Sequence, residues 1–268
     1  MDNTGKISVI MAVYNCEDTI VNAIESILNQ TYKNWEMIIC NDCSTDHTFE
    51  IVKKYADKYK DKIILIENEQ NMKLPASLNH CLKYATGKYV ARMDGDDISY
   101  PERFEKQIDF LNTHPGIDLV GTGMAVYNGE KITGQVTRPE TVDKNSLRLH
   151  PCFCHATIMT YKYVYDKLNG YSLEKRALRV EDVDLWFRFF AAGFNGANIP
   201  DLLYQVTDDE EAYKRRKFSL RFNAMKTLFH GYRILHYPVI YYPLVLMPVL
   251  KGFAPKFVYN YFRNRKFK

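Results

Sequence analysis

From Ala212 to Lys268 the chain has no aspartate or glutamate, against 13 lysines and arginines. It has no Gly-x-Gly-x-x-Gly after its first apolar run and no Gly-x4-Gly-Lys-Ser/Thr anywhere. Both phosphate cradles of the common nucleotide folds are therefore missing, which excludes a Rossmann dinucleotide site and a P-loop. No heptad array, Gly-X-Y period or internal repeat is present, so fibres and solenoids are excluded. The six cysteines include one pair at zinc-knuckle spacing, Cys40 and Cys43, but no second such pair. Structural zinc takes four ligands in recognisable pairs, so these thiols read as reduced core residues. The longest stretch without formal charge, Ile234 to Leu250, is interrupted by Pro238, Pro243 and Pro248. A spanning helix needs about 20 apolar residues and tolerates prolines poorly, so a regular span is not expected there. Met1 to Lys6 runs directly into an apolar strand pattern without an Ala-x-Ala-like cleavage site. The expectation is a cytosolic catalytic part without a signal peptide.

What remains is a globular composition: 268 residues, 46% apolar, 14% aromatic and 25% charged. That length suits one large domain or a domain with an appendage. Residues 1–211 carry 23 basic and 32 acidic side chains, a net charge of −9, so an acidic body bears a basic tail. Such asymmetry points to a polyanionic partner, either nucleic acid or an anionic membrane.

Strand and helix patterns alternate four times in the first 113 residues. Ile7 to Val13 is apolar on both faces, as a central parallel strand requires. Asp18 is placed to cap a helix carrying Ile20, Ala23, Ile24, Ile27 and Leu28. Trp35–Cys40, Ile63–Glu67 and Lys88–Met93 read as further strands, with helices opening at Asp46, near Ala76 and at Pro101. Alternation with short connections predicts a parallel α/β sheet whose ligands bind beyond the carboxyl ends of its strands. Later, Leu119–Tyr127 and Lys131–Val136 flank Asn128-Gly129 as a hairpin, followed by a helix from Glu181 to Ala192 and an extended stretch to Val206. The second half reads as part of a mixed sheet.

Three strand ends carry carboxylates or amides: Asn15, Asn41 to Asp46, and Asp94-Gly95-Asp96-Asp97. Close-set aspartates at a strand end suit a hard divalent cation, which in turn holds a diphosphate. The blander alternative is an Asp-rich turn capping the Pro101 helix. Mutual repulsion among three carboxylates favours the cation.

Taken in order, Val9 to Asn15, Ser26 to Tyr32, Asn41 to Asp46, Ala91 to Asp97 and Glu181 to Trp186 resemble family 2 glycosyltransferases, inverting enzymes with the GT-A fold. The resemblance covers roughly residues 6 to 206. It implies a GT-A-like mixed sheet flanked by helices. It further implies that Ala12, Val13 and Tyr14 pack on a nucleotide base and Asp42 accepts the N3–H of uracil. By the same resemblance Asp94 and Gly95 lie at the ribose and Asp96 meets Mn²⁺ or Mg²⁺ on the diphosphate. Asp182 becomes the catalytic base, since inversion needs a carboxylate to deprotonate the attacking hydroxyl. Glycine is common in the family where Cys43 and Lys73 stand, and Lys73 is either a donor-phosphate ligand or a solvated loop residue. His155 and Glu181 match the acceptor side, and Asp184 reads as structural.

The tail repeats an aromatic-plus-basic pattern. Phe218, Phe222, Met225, Phe229 and Tyr232 fall on one helical face, and Phe253, Phe257, Tyr261 and Phe262 alternate with further lysines and arginines. This composition suits an element in a lipid headgroup layer. A pair of helices packed on the domain is the alternative; without a base-reading motif, nucleic acid is not expected. The expected organisation is a GT-A-like domain at 1–211, with nucleotide-binding (1–113) and acceptor (114–211) halves, followed by a basic helical extension at 212–268. The function expected from tail and resemblance is transfer of a sugar from a UDP-sugar to a lipid-linked, polyprenyl-diphosphate oligosaccharide. The enzyme would sit on the inner face of the plasma membrane and serve cell-surface polysaccharide synthesis. A nucleotide-sugar-binding protein without transfer and a nucleotidyltransferase are the rival readings.

Overall fold

A computed structural model describes residues 5–148, 151–207 and 218–253. Strand β1 (Ile7–Val13) lies between β2 (Trp35–Asn41) and β4 (Tyr89–Asp94), parallel to both, and β3 (Ile63–Glu67) extends the sheet beyond β2. The apolar run of β1 is explained by burial on both faces. Val9, Met11 and Val13 pack with helices α1 (Ile20–Leu28) and α4 (Arg103–Thr113) through Ile24, Phe104 and Ile108. On the other face, Ile10 packs with Leu78 and Cys81 of α3 (Leu74–Leu82). Helix α2 (Thr48–Lys58) supplies Val52 to the first of these cores. Each such side chain contributes about 1.5–3 kcal/mol when taken out of water.

Two helix starts differ from the sequence expectation. Helix α1 begins at Ile20 after Thr19, and neither Asp18 nor Thr19 caps it through a side chain. Instead the Thr19 hydroxyl donates to the Gly95 carbonyl at 2.9 Å, a tie to the Asp-rich turn. Helix α4 begins at Arg103, two residues beyond Pro101, because Pro101 lies in the turn whose carbonyl receives the Thr31 N–H.

The second half joins the same sheet. The order β3-β2-β1-β4-β9-β6-β10-β5 places β9 (Met159–Tyr161) antiparallel to β4, then β6 (Leu119–Tyr127) and β10 (Gly196–Thr207). The hairpin expected around Asn128-Gly129 forms between β6 and β7 (Ile132–Val136). Strand β10 runs parallel to β6 and pairs antiparallel with the two-residue strands β5 (Ile98–Ser99) and β8 (Thr141–Val142). Helices α5 (Lys162–Leu168) and α6 (Glu181–Ala191) cover the face holding Ile10.

Past the undescribed residues 208–217, α7 (Ser219–Ile234) packs on α6, with Tyr232 fully buried edge-on to Phe187 at 6.1 Å. Residues Val239–Leu246 form a 3₁₀ segment and lead to the short α8 (Met247–Leu250). The aromatic row of α7 is therefore divided. Tyr232 is in the core, whereas Phe218, Phe222 and Phe229 stay exposed. The basic cluster Lys214–Lys217 and the aromatics Phe257, Tyr261 and Phe262 lie outside the described residues. Gly231 sets how closely α7 approaches, because a Cβ there would lie 2.2 Å from the Phe187 ring. Overpacking of this kind costs about 1–3 kcal/mol. Gly231→Ala is expected to lower the unfolding free energy by that amount in urea titrations, and an unchanged midpoint would contradict this packing.

Candidate active site

The carboxyl ends of β1, β2 and β4 meet side by side: Ala12 is in register with Asp94 on β4 and with Cys40 on β2. Carboxylate oxygens of Asp94, Asp96 and Asp97 lie within 4.8 Å of one another, the one candidate metal-ligand group among the described residues. Hard oxygen donors so grouped fit Mg²⁺ or Mn²⁺. Asp94 is held from below by Arg92, with a two-pronged contact of 2.9 and 2.6 Å. Asp97 is buried, and its carboxyl is pushed well above the usual range by burial and then by the charges of Asp94 and Asp96.

Several residues outside the acidic turn hold its shape, and sequence reasoning missed them. The fully buried Tyr204 of β10 accepts the Asp94 N–H at 3.1 Å, and its hydroxyl also bonds Asp97. Thr207 donates its N–H to Asp97 and its hydroxyl to the Asp96 carbonyl. Buried Gln30 ties the end of α1 to Tyr100 and to the Phe104 N–H. That role gives the Ser26–Tyr32 motif a physical basis. Gly95 is buried against β1, and a Cβ there would come 3.0 Å from Val13. A side chain there would have to push Val13 or Cys16 aside by a few tenths of an ångström.

On the β2 side, Tyr14 projects from the end of β1 with 49% of its surface exposed, while Val13 is buried and Ala12 half-buried. Asp42 is only 4% exposed. Its carboxylate takes the Asn68 amide at 2.8 Å, the Met72 N–H at 2.7 Å and the Lys73 N–H at 2.9 Å. Of about four acceptor positions on a carboxylate, three are thus engaged with the loop after β3. Asp42 shapes that loop, a partnership the sequence did not signal. The Lys73 side chain is exposed, and its backbone has φ 71° and ψ 164°, a conformation nearly confined to glycine. Cys43 likewise has φ 62°. Both are positions where glycine is common in the family, and the backbone gives the reason.

Glu181 and Asp182, in the first turn of α6, and His155, against Trp186 of that helix, gather around α6. Asp182 accepts the Val183 N–H at 2.8 Å in the first turn. Burial, aided by the Asp182 charge, raises the Glu181 carboxyl above its ordinary range, and its Oε2 is buried without a hydrogen-bond partner. Asp184 is structural as expected: it is buried and ion-paired to Arg176 and Arg188. His155 shares a 2.9 Å hydrogen bond with the Tyr171 hydroxyl and lies edge-on to Trp186. Arg92 links the two sides, for its charge reaches Glu181 and His155 as well as Asp94.

His155 makes stability pH-dependent. Burial, and then the Arg92 charge, hold its pKa well below 6.5 in the folded state. As pH falls below 6.5, the unfolded chain takes up a proton that the folded one refuses, so stability declines. The slope is at most about 1.4 kcal/mol per pH unit. His155→Gln is expected to flatten this acid-side decline in urea unfolding series between roughly pH 7.5 and 5. Equal slopes in both proteins would remove the assignment.

The family model for glycosyl transferase family 2 matches residues 8–168. A putative glycosyltransferase EpsE from Bacillus subtilis (strain 168) is 44% identical over 266 residues, covering 99% of this chain and 96% of the relative. The UDP-Glc:alpha-D-GlcNAc-diphosphoundecaprenol beta-1,3-glucosyltransferase WfaP of Escherichia coli is 31% identical, covering 83% of this chain and 86% of its own. Among solved structures, S. aureus TarS 1–349 in complex with UDP-GlcNAc superposes with a TM-score of 0.69 at 21% identity, over 86% of this chain and 70% of that 1–349 chain. With this fold and this strand-end acidic turn, the chain belongs to glycosyl transferase family 2, on a GT-A-like mixed sheet.

Proposed function

We propose that the protein is an inverting, divalent-metal-dependent transferase that moves a sugar from a UDP-sugar to a hydroxyl of a lipid-linked oligosaccharide in cell-surface polysaccharide synthesis. The observation that carries this reading is the cluster of Asp94, Asp96 and Asp97 at the end of β4, with Arg92 joining it electrostatically to the helix that bears Asp182. In this reading Tyr14 stacks on the base, Val13 and Ala12 floor the pocket, and Asp42 uses its remaining acceptor position for the base N3–H. Asp94 and Gly95 lie at the ribose, Lys73 reaches the donor phosphates, and Asp96 with its neighbours holds Mn²⁺ or Mg²⁺. When bound, that cation offsets the charge developing on the departing diphosphate.

Asp182 takes the proton of the acceptor hydroxyl as its oxygen attacks the anomeric carbon. The bond to the diphosphate breaks on the opposite face, which inverts the configuration. Asp182 suits this role better than the clustered aspartates, because a carboxylate bound to a cation is a poor base. Glu181, with its unpartnered buried oxygen, orients the acceptor through a second hydroxyl, and His155 with Tyr171 closes the pocket behind it. Family membership sets the nucleotidyltransferase reading aside. The acceptor assignment is supported by the diphosphoundecaprenol in the name of the E. coli relative.

The test incubates the full-length protein with a panel of nucleotide sugars, Mn²⁺ and lipid-linked acceptors, and measures nucleoside diphosphate release. Asp182→Asn is expected to lower kcat by about 10²–10⁴-fold with donor affinity retained. Asp96→Ala is expected to abolish the Mn²⁺ dependence of donor binding. A wild type that turns over no donor would sink the transferase reading in favour of a binding protein.

Membrane docking is the second element of the proposal. No helix among the described residues is long and apolar enough to cross a bilayer. Among the described residues, nine of the 17 exposed large apolar side chains nevertheless fall within residues 218–253, including Val239 and Ile240 at 80% exposure. Lys251 and the basic segments on either side add attraction to anionic lipid, about 1 kcal/mol per cation at low salt. Tyr237 and Val245 are buried against the domain, so deletion of this region would damage the core. Exposed point variants avoid that damage. The protein should pellet with anionic vesicles at low salt, and Val239→Glu with Ile240→Glu should release it. Wild-type protein left in the supernatant would refute docking and leave the transferase proposal untouched.

A further inference from the structure

We infer that the loop ahead of α6 seats the diphosphate of the lipid-linked acceptor, with Arg179 as its principal ligand; this rests on the acceptor class proposed above. The loop runs Leu173-Glu174-Lys175-Arg176-Ala177-Leu178-Arg179, and three basic residues in five lead directly to Glu181 and Asp182. They differ in what they hold. Arg176 is committed, pairing with Glu174 at 2.9 Å and with the buried Asp184. Arg188 occupies the other Asp184 oxygen at 2.7 Å. Glu174 and Asp184 are thus taken up, while Lys175 and Arg179 remain exposed and the Arg179 charge acts on the nearby Glu181 carboxyl.

Arg179 stands in the left-handed region with φ 66°, an unusual backbone for a non-glycine residue. It is fixed from both sides. The Val180 N–H bonds the Ala177 carbonyl at 3.0 Å, and the Thr227 hydroxyl of α7 bonds the Arg176 carbonyl at 2.7 Å. Asn223 of α7 reaches the Leu178 carbonyl at 3.5 Å. Exposed apolar groups lie on the same loop and on α7: Leu173 is 65% exposed, Leu178, next to Arg179 in the chain, 41%, and Phe222, next to the Asn223 that reaches Leu178, 42%. Exposed cations beside exposed apolar groups match an amphiphile with an anionic head.

Distance makes the match specific. Three residues of chain span at most about 10 Å, so the backbones of Arg179 and Asp182 lie within that distance of each other. An acceptor sugar joined to a lipid diphosphate has its reactive hydroxyl and its phosphates at opposite edges of that ring. With the hydroxyl at Asp182, the phosphates fall within reach of Arg179, whose planar guanidinium grips phosphate in a two-pronged fashion. The isoprenoid chain then leaves across Leu178 and Phe222 toward the exposed apolar side chains of the tail.

The experiment uses full-length protein saturated with UDP and Mn²⁺, so that the donor's diphosphate site is filled. Geranylgeranyl diphosphate in detergent micelles is titrated by calorimetry, with geranylgeraniol as the uncharged control. Wild type is expected to bind the diphosphate at least tenfold more tightly than the alcohol. Arg179→Ala should abolish that preference, and Arg179→Lys should keep part of it. Arg179→Gly, which relieves the backbone as well as removing the charge, should behave like the alanine variant. UDP affinity should stay constant throughout. Wild-type binding by Arg179→Ala, equal binding of alcohol and diphosphate, or a parallel loss of UDP affinity would each overturn the inference. Donor turnover is read separately, so a wild type without turnover would undermine the transferase reading while this binding result is judged independently.

Discussion

Three carboxylates with oxygens inside 4.8 Å repel one another, and the carboxyl end of the sheet is organised around that repulsion. At an effective dielectric near 20, each close pair of like charges costs on the order of 4 kcal/mol. Arg92 offsets part of it from beneath, itself 4% exposed and bonded to both oxygens of Asp94. The raised pKa of Asp97 records what burial and the remaining repulsion do to the third carboxyl. A divalent cation would relieve the same repulsion. The turn is thus a site whose folded geometry is most favourable when it is filled. The Arg92 charge also depresses His155, so the acidic turn and the surroundings of α6 share one buried cation.

Keeping the turn in shape falls to residues far along the chain. Strand β10 brings Tyr204 and Thr207 against it, and the two-residue β5 exists because Ser99 and Ile98 pair with Tyr204 and Gln205. Arg103 supports Tyr204 from behind at 5.1 Å, fully buried and pushed down to about 10 mainly by burial. The second half of the domain therefore serves two purposes. It supplies α6, which bears Glu181 and Asp182, and it clamps the turn carried by the first half.

The sequence was legible where a pattern repeats over enough residues. The first four strands and the β6–β7 hairpin stand out because β1 is apolar on both faces and Asn128-Gly129 marks a turn. The strand ends that the sequence singled out do lie side by side, because parallel alternation brings the carboxyl ends of β1, β2 and β4 together. Strands of two or three residues such as β5, β8 and β9 leave no periodicity to read. Tyr204 looks like any core aromatic until its hydroxyl is seen between Asp94 and Asp97. The glycine-like backbones of Cys43 and Lys73 show in this sequence only through the family resemblance, since neither residue is glycine. The partnership of Asp42 with Met72 and Lys73 joins main-chain groups about 30 positions away, which no side-chain motif encodes.

The tail shows how one helix can satisfy two demands. Helix α7 presents Thr227, Gly231 and Tyr232 to the domain and leaves Phe218, Phe222 and Phe229 outside. The inner contacts fix its orientation: Thr227 bonds the loop before α6, and Tyr232 reaches the Arg148 carbonyl at 3.0 Å. Prolines 238, 243 and 248 then force the chain into a 3₁₀ segment and a short helix, which keeps Val239 and Ile240 at the surface. Apolar groups so exposed are costly in water unless another phase or partner covers them. Because the inner face of α7 is bonded to the loop that carries Arg179, whatever covers the outer face is held at a fixed offset from Asp182. In the function proposed above, a lipid surface there would set the depth at which an acceptor sugar meets Asp182. That offset follows from helix packing and does not depend on the sheet having evolved to recognise lipid.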